Sequence, residues 1–265
     1  MTILVKYERQ SKETNKILFE KLEKLTNLDW AKWGGWFDSD GSFFYSKKDK
    51  TIHCCLSLSD KSPVELFSKT FEVSLSVTCK SNNYEKSVNK EVKERYRAII
   101  TGERALWFCQ KVHPFVINKN NKLNEILSKF NVNLSSNYNN MDSSEFLSWL
   151  ISFIEGDGSF TTANKGKYPI VQITSNNNYL LDYIRNRCLR ENVIVFNKTA
   201  VKQKAGEFKL SSKSNLTAFR KTGYIMRAWS KQNLLQFYDK ILPFMSLDRK
   251  KDKILNHIEL FKTIR

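Results

Sequence analysis

Several features that would steer the chain toward other classes are missing. Its five cysteines (Cys54, Cys55, Cys79, Cys109 and Cys188) include no C-x-x-C pair, and its three histidines (His53, His113 and His257) stand at no zinc-ligand spacing. Each histidine is therefore expected to be a packing or surface residue. An odd cysteine count without a framework implies reduced thiols in an intracellular compartment; organelle and bacterial or phage hosts are not distinguished. The opening stretch MTILVKYERQSKETNK turns polar too early for a secretory core. No apolar run reaches the roughly 20 residues of a membrane span. Acids are also scarce: 27 Asp+Glu face 44 Lys+Arg, a net charge of +17. Such an excess calls for a polyanionic partner. An anionic membrane would need a basic amphipathic helix or a lipidation signal. The lysines are instead spread along the chain, which favours nucleic acid. With 265 residues, 41% of them hydrophobic, a sizeable core can be buried.

What is present is a repeat. Residues 30–43 read WAKWGGWFDSDGSF and residues 149–160 read WLISFIEGDGSF, so Asp40 and Asp157 lie 117 residues apart. Each motif is followed by strand, polar turn and strand, with turns at Lys47–Lys50 and Asn164–Lys167. Helix-like PVELFSKTF and NYLLDYIRNRCL come next, then a second strand pair near 74–101 and 193–229. Each copy ends with a helix leading into Pro-Phe, at 114–115 and 243–244. The second copy is about a dozen residues longer, an insertion assigned to SSKSNLTAFRKTG. The pattern predicts an α+β chain of two αββαββα halves. The expected organisation is a helical extension over 1–25, an N-terminal half over 26–128, a linker over 129–143 and a C-terminal half over 144–265. Thr26 or Asn27 is expected to cap the first motif helix, and Asp142 with Glu145 to form a capping box on the second. Trp30, Trp33 and Trp36 recur at helical spacing and are expected to pack, not to stack on bases. Gly34, Gly35 and Ser152 would allow two helices to approach closely. Gly41 and Gly158 would end those helices at positive φ.

WGGWFDSDG and LISFIEGDG resemble the two copies of the LAGLIDADG homing endonuclease motif in its single-chain form, and the likeness extends over the chain from about residue 26. The resemblance implies two pseudo-symmetric halves forming a DNA-binding saddle, with the motif helices packed at the centre, in a monomer with pseudo-two-fold symmetry. It implies hydrolysis of phosphodiester bonds at a long asymmetric duplex target. Two or three Mg²⁺ ions would be shared by both halves, with Mn²⁺ as a substitute and Ca²⁺ supporting binding without cleavage. Asp40 and Asp157 would be the metal ligands, assisted by the carbonyls of Ser39 and Gly156; Asp38 and Glu155 would be structural. Lys231 and Arg104 would be the basic residues near the phosphates, and Asp60 and Ser175 the polar residues that organise water.

On the saddle, period-2 alternation places Ile52, Cys54, Leu56 and Leu58 on the apolar face. His53, Cys55 and Ser57 fall on the opposite face, with Phe44, Ser46 and Lys48 beside them. Thr161, Lys165, Tyr168 and Gln172 take the equivalent places in the second copy. Lys80, Asn82, Lys198, Lys202, Lys204 and Lys209 in the outer strand pairs are further candidate DNA contacts. An RNA maturase on the same fold, with host intron RNA as partner, is the alternative. A DNA-binding regulator without catalysis is a third reading; retention of both aspartates disfavours both.

Overall fold

The computed structural model describes residues 12–78, 94–134, 138–164, 166–197, 199–203, 208–210, 216–218 and 222–263. Contacts divide the chain into two compact units, Met1–Ser152 and Phe153–Arg265. Helix α1 (Lys12–Leu22) precedes the first motif helix α2 (Asn27–Ser39), which runs directly into the hairpin β1 (Gly41–Ser46) and β2 (Thr51–Leu58). Then follow α3 (Lys61–Thr70), β3 (Leu75–Thr78), β4 (Arg95–Thr101) and α4 (Gly102–Val112). A 3₁₀ turn at His113–Phe115 leads into α5 (Asn120–Ser128). The four strands form one antiparallel sheet in the order β1-β2-β4-β3.

The second motif helix α6 (Ser143–Asp157) begins the same series again: β5 (Gly158–Ala163), β6 (Tyr168–Ser175), α7 (Asn178–Arg190), β7 (Ala200–Gln203), β10 (Gly223–Ala228) and α8 (Lys231–Ile241). Its antiparallel sheet has the matching order β5-β6-β10-β7. A separate hairpin pairs β8 (Phe208–Leu210), just before the stretch assigned as the insertion, with β9 (Leu216–Ala218) inside it. After a 3₁₀ turn at Leu242–Phe244 the chain ends in α9 (Asp248–Thr263). The two αββαββα halves expected from the repeat are present. Each also carries a helix beyond its Pro-Phe turn, α5 or α9, which the motif alignment did not include.

The helix starts follow from local chemistry. Thr26 Oγ1 accepts from the Asp29 N–H at 3.3 Å while Asp29 accepts from the Thr26 N–H at 2.9 Å. Asp142 and Glu145 make the equivalent reciprocal pair on α6, at 2.8 and 2.9 Å. In the first sheet the expected apolar face is buried: Ile52, Cys54, Leu56 and Leu58 pack under α3 and α4. Phe37 sits among Phe43, Phe67 and Phe108, with ring centroids 4.8–5.5 Å apart. Trp30, Trp33 and Trp36 are all buried, and Trp33 meets Phe67 edge-on at 5.3 Å. Rings of this size each contribute several kcal/mol to a core. Extension helix α1 buries Leu18 and Leu22 and stacks Phe19 on Trp107.

Gly34, Gly41 and Gly158 are required by close contacts. Gly41 and Gly158 are not among the positive-φ residues. They are required by space: a Cβ would fall 2.5 Å from Phe37 Cα at Gly41, and 2.6 Å from the Ile154 carbonyl oxygen at Gly158. The strand therefore starts hard against the last turn of its own motif helix. At Gly34 a Cβ would lie 2.4 Å from the carbonyl oxygen of Phe115. That close approach is between α2 and the 3₁₀ turn of the same half. Gly35 and Ser152 are buried.

Two outcomes follow from this packing. Gly34→Ala should cost about 1–3 kcal/mol through overpacking, outweighing the roughly 1 kcal/mol that alanine adds to a helix; a urea midpoint at or above wild type would contradict the Phe115 contact. In the second half His257 is 3% exposed and meets the Tyr238 hydroxyl at 2.6 Å. Burial, then the charge of Lys253, hold its pKa down to about 4. The folded value is depressed, so the neutral ring supports the fold above about pH 6.5, and that support is lost as pH falls toward 4. Denaturant titrations should show wild type losing up to about 3 kcal/mol relative to His257→Gln across that window.

Candidate active site

The two halves build one arrangement twice at the ends of their motif helices. A helix C-terminus leaves its last carbonyls without intrahelical donors and carries partial negative charge. In the first half the Lys119 ammonium fills that need. Its Nζ donates to the carbonyls of Phe37 at 2.7 Å, Ser39 at 2.9 Å and Gly41 at 2.6 Å. In the second half Lys250, 3% exposed, donates to Ile154 at 2.7 Å, Gly156 at 3.3 Å and Gly158 at 2.8 Å. The three acceptors match one for one at the 117-residue offset of the repeat. Beside each cradle stands an exposed carboxylate: Asp40, whose N–H closes α2 on Trp36 at 3.0 Å, and Asp157, the last residue of α6.

The preceding acid of each motif holds the segment that carries the lysine. Asp38 is fully buried, and accepts from the N–H of Ile117 at 2.6 Å, the N–H of Lys119 at 3.0 Å and the Trp149 indole at 3.1 Å. Burial raises its pKa to about 6, against the backbone bonds from Ile117 and Lys119 and the Lys119 charge, which lower it. Glu155, also fully buried, accepts from the N–H groups of Ser246 at 2.5 Å and Leu247 at 2.6 Å, and from the Ser246 hydroxyl at 2.9 Å. The motif's first acid thus ties the helix end to the loop after Pro-Phe.

Other expected site residues lie elsewhere. Arg104 donates to Asn15 at 2.6 Å and to the carbonyls of Phe71 and Glu72 at 3.4 Å, which commits it to a helix junction. Lys231 starts α8 and donates to the Phe261 carbonyl at 2.6 Å. Neither is the lysine on a motif-helix end; Lys119 and Lys250 are. Each lysine follows its Pro-Phe turn, but at different spacings, four residues after Phe115 and six after Phe244. A fixed-offset alignment passes over that difference. Asp60 is the N-cap residue of α3 and Asn177 that of α7, at matching places in the repeat. Ser175 ends β6, and its hydroxyl accepts from the Asn177 N–H at 3.0 Å.

On the first sheet Ser42, Phe44 and Ser46 alternate away from the core, opposite Cys55, His53 and Thr51. The Phe44 and His53 rings stack at 4.6 Å. Ser57 shares this face and Lys48 lies in the exposed hairpin turn. Cys55 departs from simple alternation in being 4% exposed, because Arg97 lies over it. On the second sheet Thr161 faces Ile170, and Tyr168 and Gln172 follow the same period. Lys202 is in β7, whereas Lys209 is in the β8-β9 hairpin and not in the four-stranded sheet. Lys80, Asn82, Lys165, Lys198 and Lys204 lie outside the described residues.

The donors suit a hard cation. Asp40 and Asp157 offer oxygen only, and the Ser39 and Gly156 carbonyls beside them, each already accepting from a lysine ammonium, keep a second lone pair for an ion. Among the described residues no three His, Cys, Asp or Glu gather into a closed cage. An ion held here would keep waters and phosphate oxygens in its shell, as Mg²⁺ does. Replacing Lys250 by Met, which keeps the stem and removes the donors, should leave three carbonyls unsatisfied. The expected loss is at least about 1–3 kcal/mol, read as a lower urea midpoint; an unchanged midpoint would mean the cradle contributes nothing to the fold.

No protein-family model and no curated protein sequence matches the chain. Solved structures do. The homing endonuclease I-WcaI bound to its DNA recognition sequence is 14% identical, covers 94% of this chain and 95% of its own, and superposes with a TM-score of 0.53. The LAGLIDADG meganuclease I-AabMI bound to uncleaved DNA is 15% identical, covers 88% and 92%, and superposes with a TM-score of 0.51. With two matching four-stranded antiparallel sheets, each begun by an acid-ended motif helix, the chain has the fold of the single-chain LAGLIDADG homing endonucleases.

Proposed function

We propose that the protein is a site-specific endonuclease that hydrolyses phosphodiester bonds in double-stranded DNA with a divalent cation. The observation that carries this is the duplicated helix end: an exposed aspartate beside a carbonyl triad occupied by a lysine ammonium. Asp40 and Asp157 would hold Mg²⁺ with help from the Ser39 and Gly156 carbonyls. The bound cation would supply Lewis-acid stabilisation of charge developing on the phosphodiester oxygens. Lys119 and Lys250 add a fixed positive charge at each helix end, where a phosphate would otherwise meet the negative pole of the helix. Asp38 and Glu155 keep the lysine-bearing loops in place. The outward faces of the two sheets, in a chain of net charge +17, would contact the duplex. The DNA-bound state of I-WcaI and I-AabMI supports a DNA partner for this fold.

Asp40→Asn and Asp157→Asn should each abolish double-strand cleavage of a selected target with Mg²⁺ while binding in Ca²⁺ stays within a few-fold of wild type. Full cleavage by either variant would refute the assignment. Tight binding of a structured intron RNA, with no duplex cut by wild type, would replace the endonuclease with the maturase.

A further inference from the structure

Sequence alternation left two arginines unassigned. Arg97 in β4 and Arg227 in β10 are exposed, each on an interior strand of its four-stranded sheet. Arg97 stands opposite Ser57 in register, yet its Nε donates to Cys55 Sγ at 3.1 Å. Arg227 stands opposite Gln172, and its Nε donates to Gln172 Oε1 at 3.3 Å. Cys55 and Gln172 are 117 residues apart, the repeat offset, so both arginines are anchored on the same position of the two copies.

The anchor decides what the rest of the side chain can do. A guanidinium is rigid and planar, with five N–H donors in a fixed fork. Once Nε is bound to the sheet, the Nη1 and Nη2 groups make up the distal edge, and among the described residues neither arginine has an acceptor there. That edge presents two parallel donors, which match the O6 and N7 acceptors of guanine in the major groove. Holding Nε also removes part of the rotamer freedom that a long side chain loses on binding. A lysine, or an untethered arginine at a sheet edge, is suited to phosphates, where no fixed orientation is needed. Tethering on the interior strands suits a base.

Presupposing the DNA-endonuclease function above, we propose that Arg97 and Arg227 each read one guanine of the duplex target through the Nη edge, with Cys55 and Gln172 as positioning residues that aim them. No other described side chain on the outward faces combines exposure, positive charge and a side-chain anchor on the neighbouring strand.

The test is selection of bound sequences from a randomised duplex library in Ca²⁺, by wild type, Arg97→Ala, Arg97→Lys, Arg227→Ala, Arg227→Lys and Gln172→Ala. Wild type should select guanine at two positions. Each arginine-to-alanine variant should lose that preference at its own position only, by about 5- to 150-fold, the range for one bidentate base contact. The lysine variants keep the charge, and should keep the salt dependence while relaxing the guanine preference. Gln172→Ala should broaden the Arg227 position alone. An unchanged selection profile in the arginine variants would overturn the proposal. So would a uniform loss of affinity with a shallower salt dependence, the signature of a phosphate contact. If wild type selects no duplex sequence at all, the endonuclease reading fails with it, an outcome distinct from a specific profile that the arginines do not alter.

Discussion

A helix that stops at an acid and turns at once into a strand leaves its final carbonyls exposed at a crowded junction, with no room for further helix to satisfy them. In both halves of this protein an ammonium from the far end of the same half fills that place. Lys119 and Lys250 each take three carbonyls of the junction, and the buried acid two residues before the terminal aspartate, Asp38 or Glu155, grips the loop that delivers them. The junction and the loop after Pro-Phe thereby hold each other. The glycines at 41 and 158 belong to the same constraint, since a side chain there would collide with the helix and move the strand away from the cradle.

This device also sets the electrostatics of the candidate site. Without the ammonium, the helix end would present partial negative charge close to a carboxylate and to any incoming phosphate, a repulsive combination. With it, the exposed aspartate has a cation as neighbour and the carbonyls keep their geometry. Asp38 shows the cost of the arrangement: burial pushes its pKa up to about 6, while the N–H groups it clamps and the nearby lysine pull in the opposite direction. On the sheets a milder version of the same logic holds, with one donor of an arginine tied to a neighbouring strand so that the others keep a defined direction.

The repeat, the two αββαββα halves, the capped motif helices and the core faces of the strands were legible in sequence, because each rests on local periodicity or on groups a few residues apart. Ile52, Cys54, Leu56 and Leu58 are buried as alternation implies, and Thr26–Asp29 and Asp142–Glu145 cap as their spacing implies. The basic residues at the helix ends were not legible. Lys119 and Lys250 fall at different distances from their Pro-Phe turns, so the repeat register does not superimpose them, and Arg104 and Lys231 looked equally suitable in a chain with 44 basic residues. Helices α5 and α9 were overlooked for a similar reason, lying beyond the part of the repeat that the motifs bring into line.

The amino-acid order by itself determined the elements, their order and which acids end the motif helices, since hydrogen-bond capping, periodicity and helix termination act over a few residues. Only the tertiary structure decided which lysine meets each helix end, why Gly34, Gly41 and Gly158 cannot carry a side chain, and which arginine is anchored against which strand. These are contacts between segments tens of residues apart. Their partners are selected by the register of the sheets and the path of the loops, and no local pattern encodes a distance across the fold.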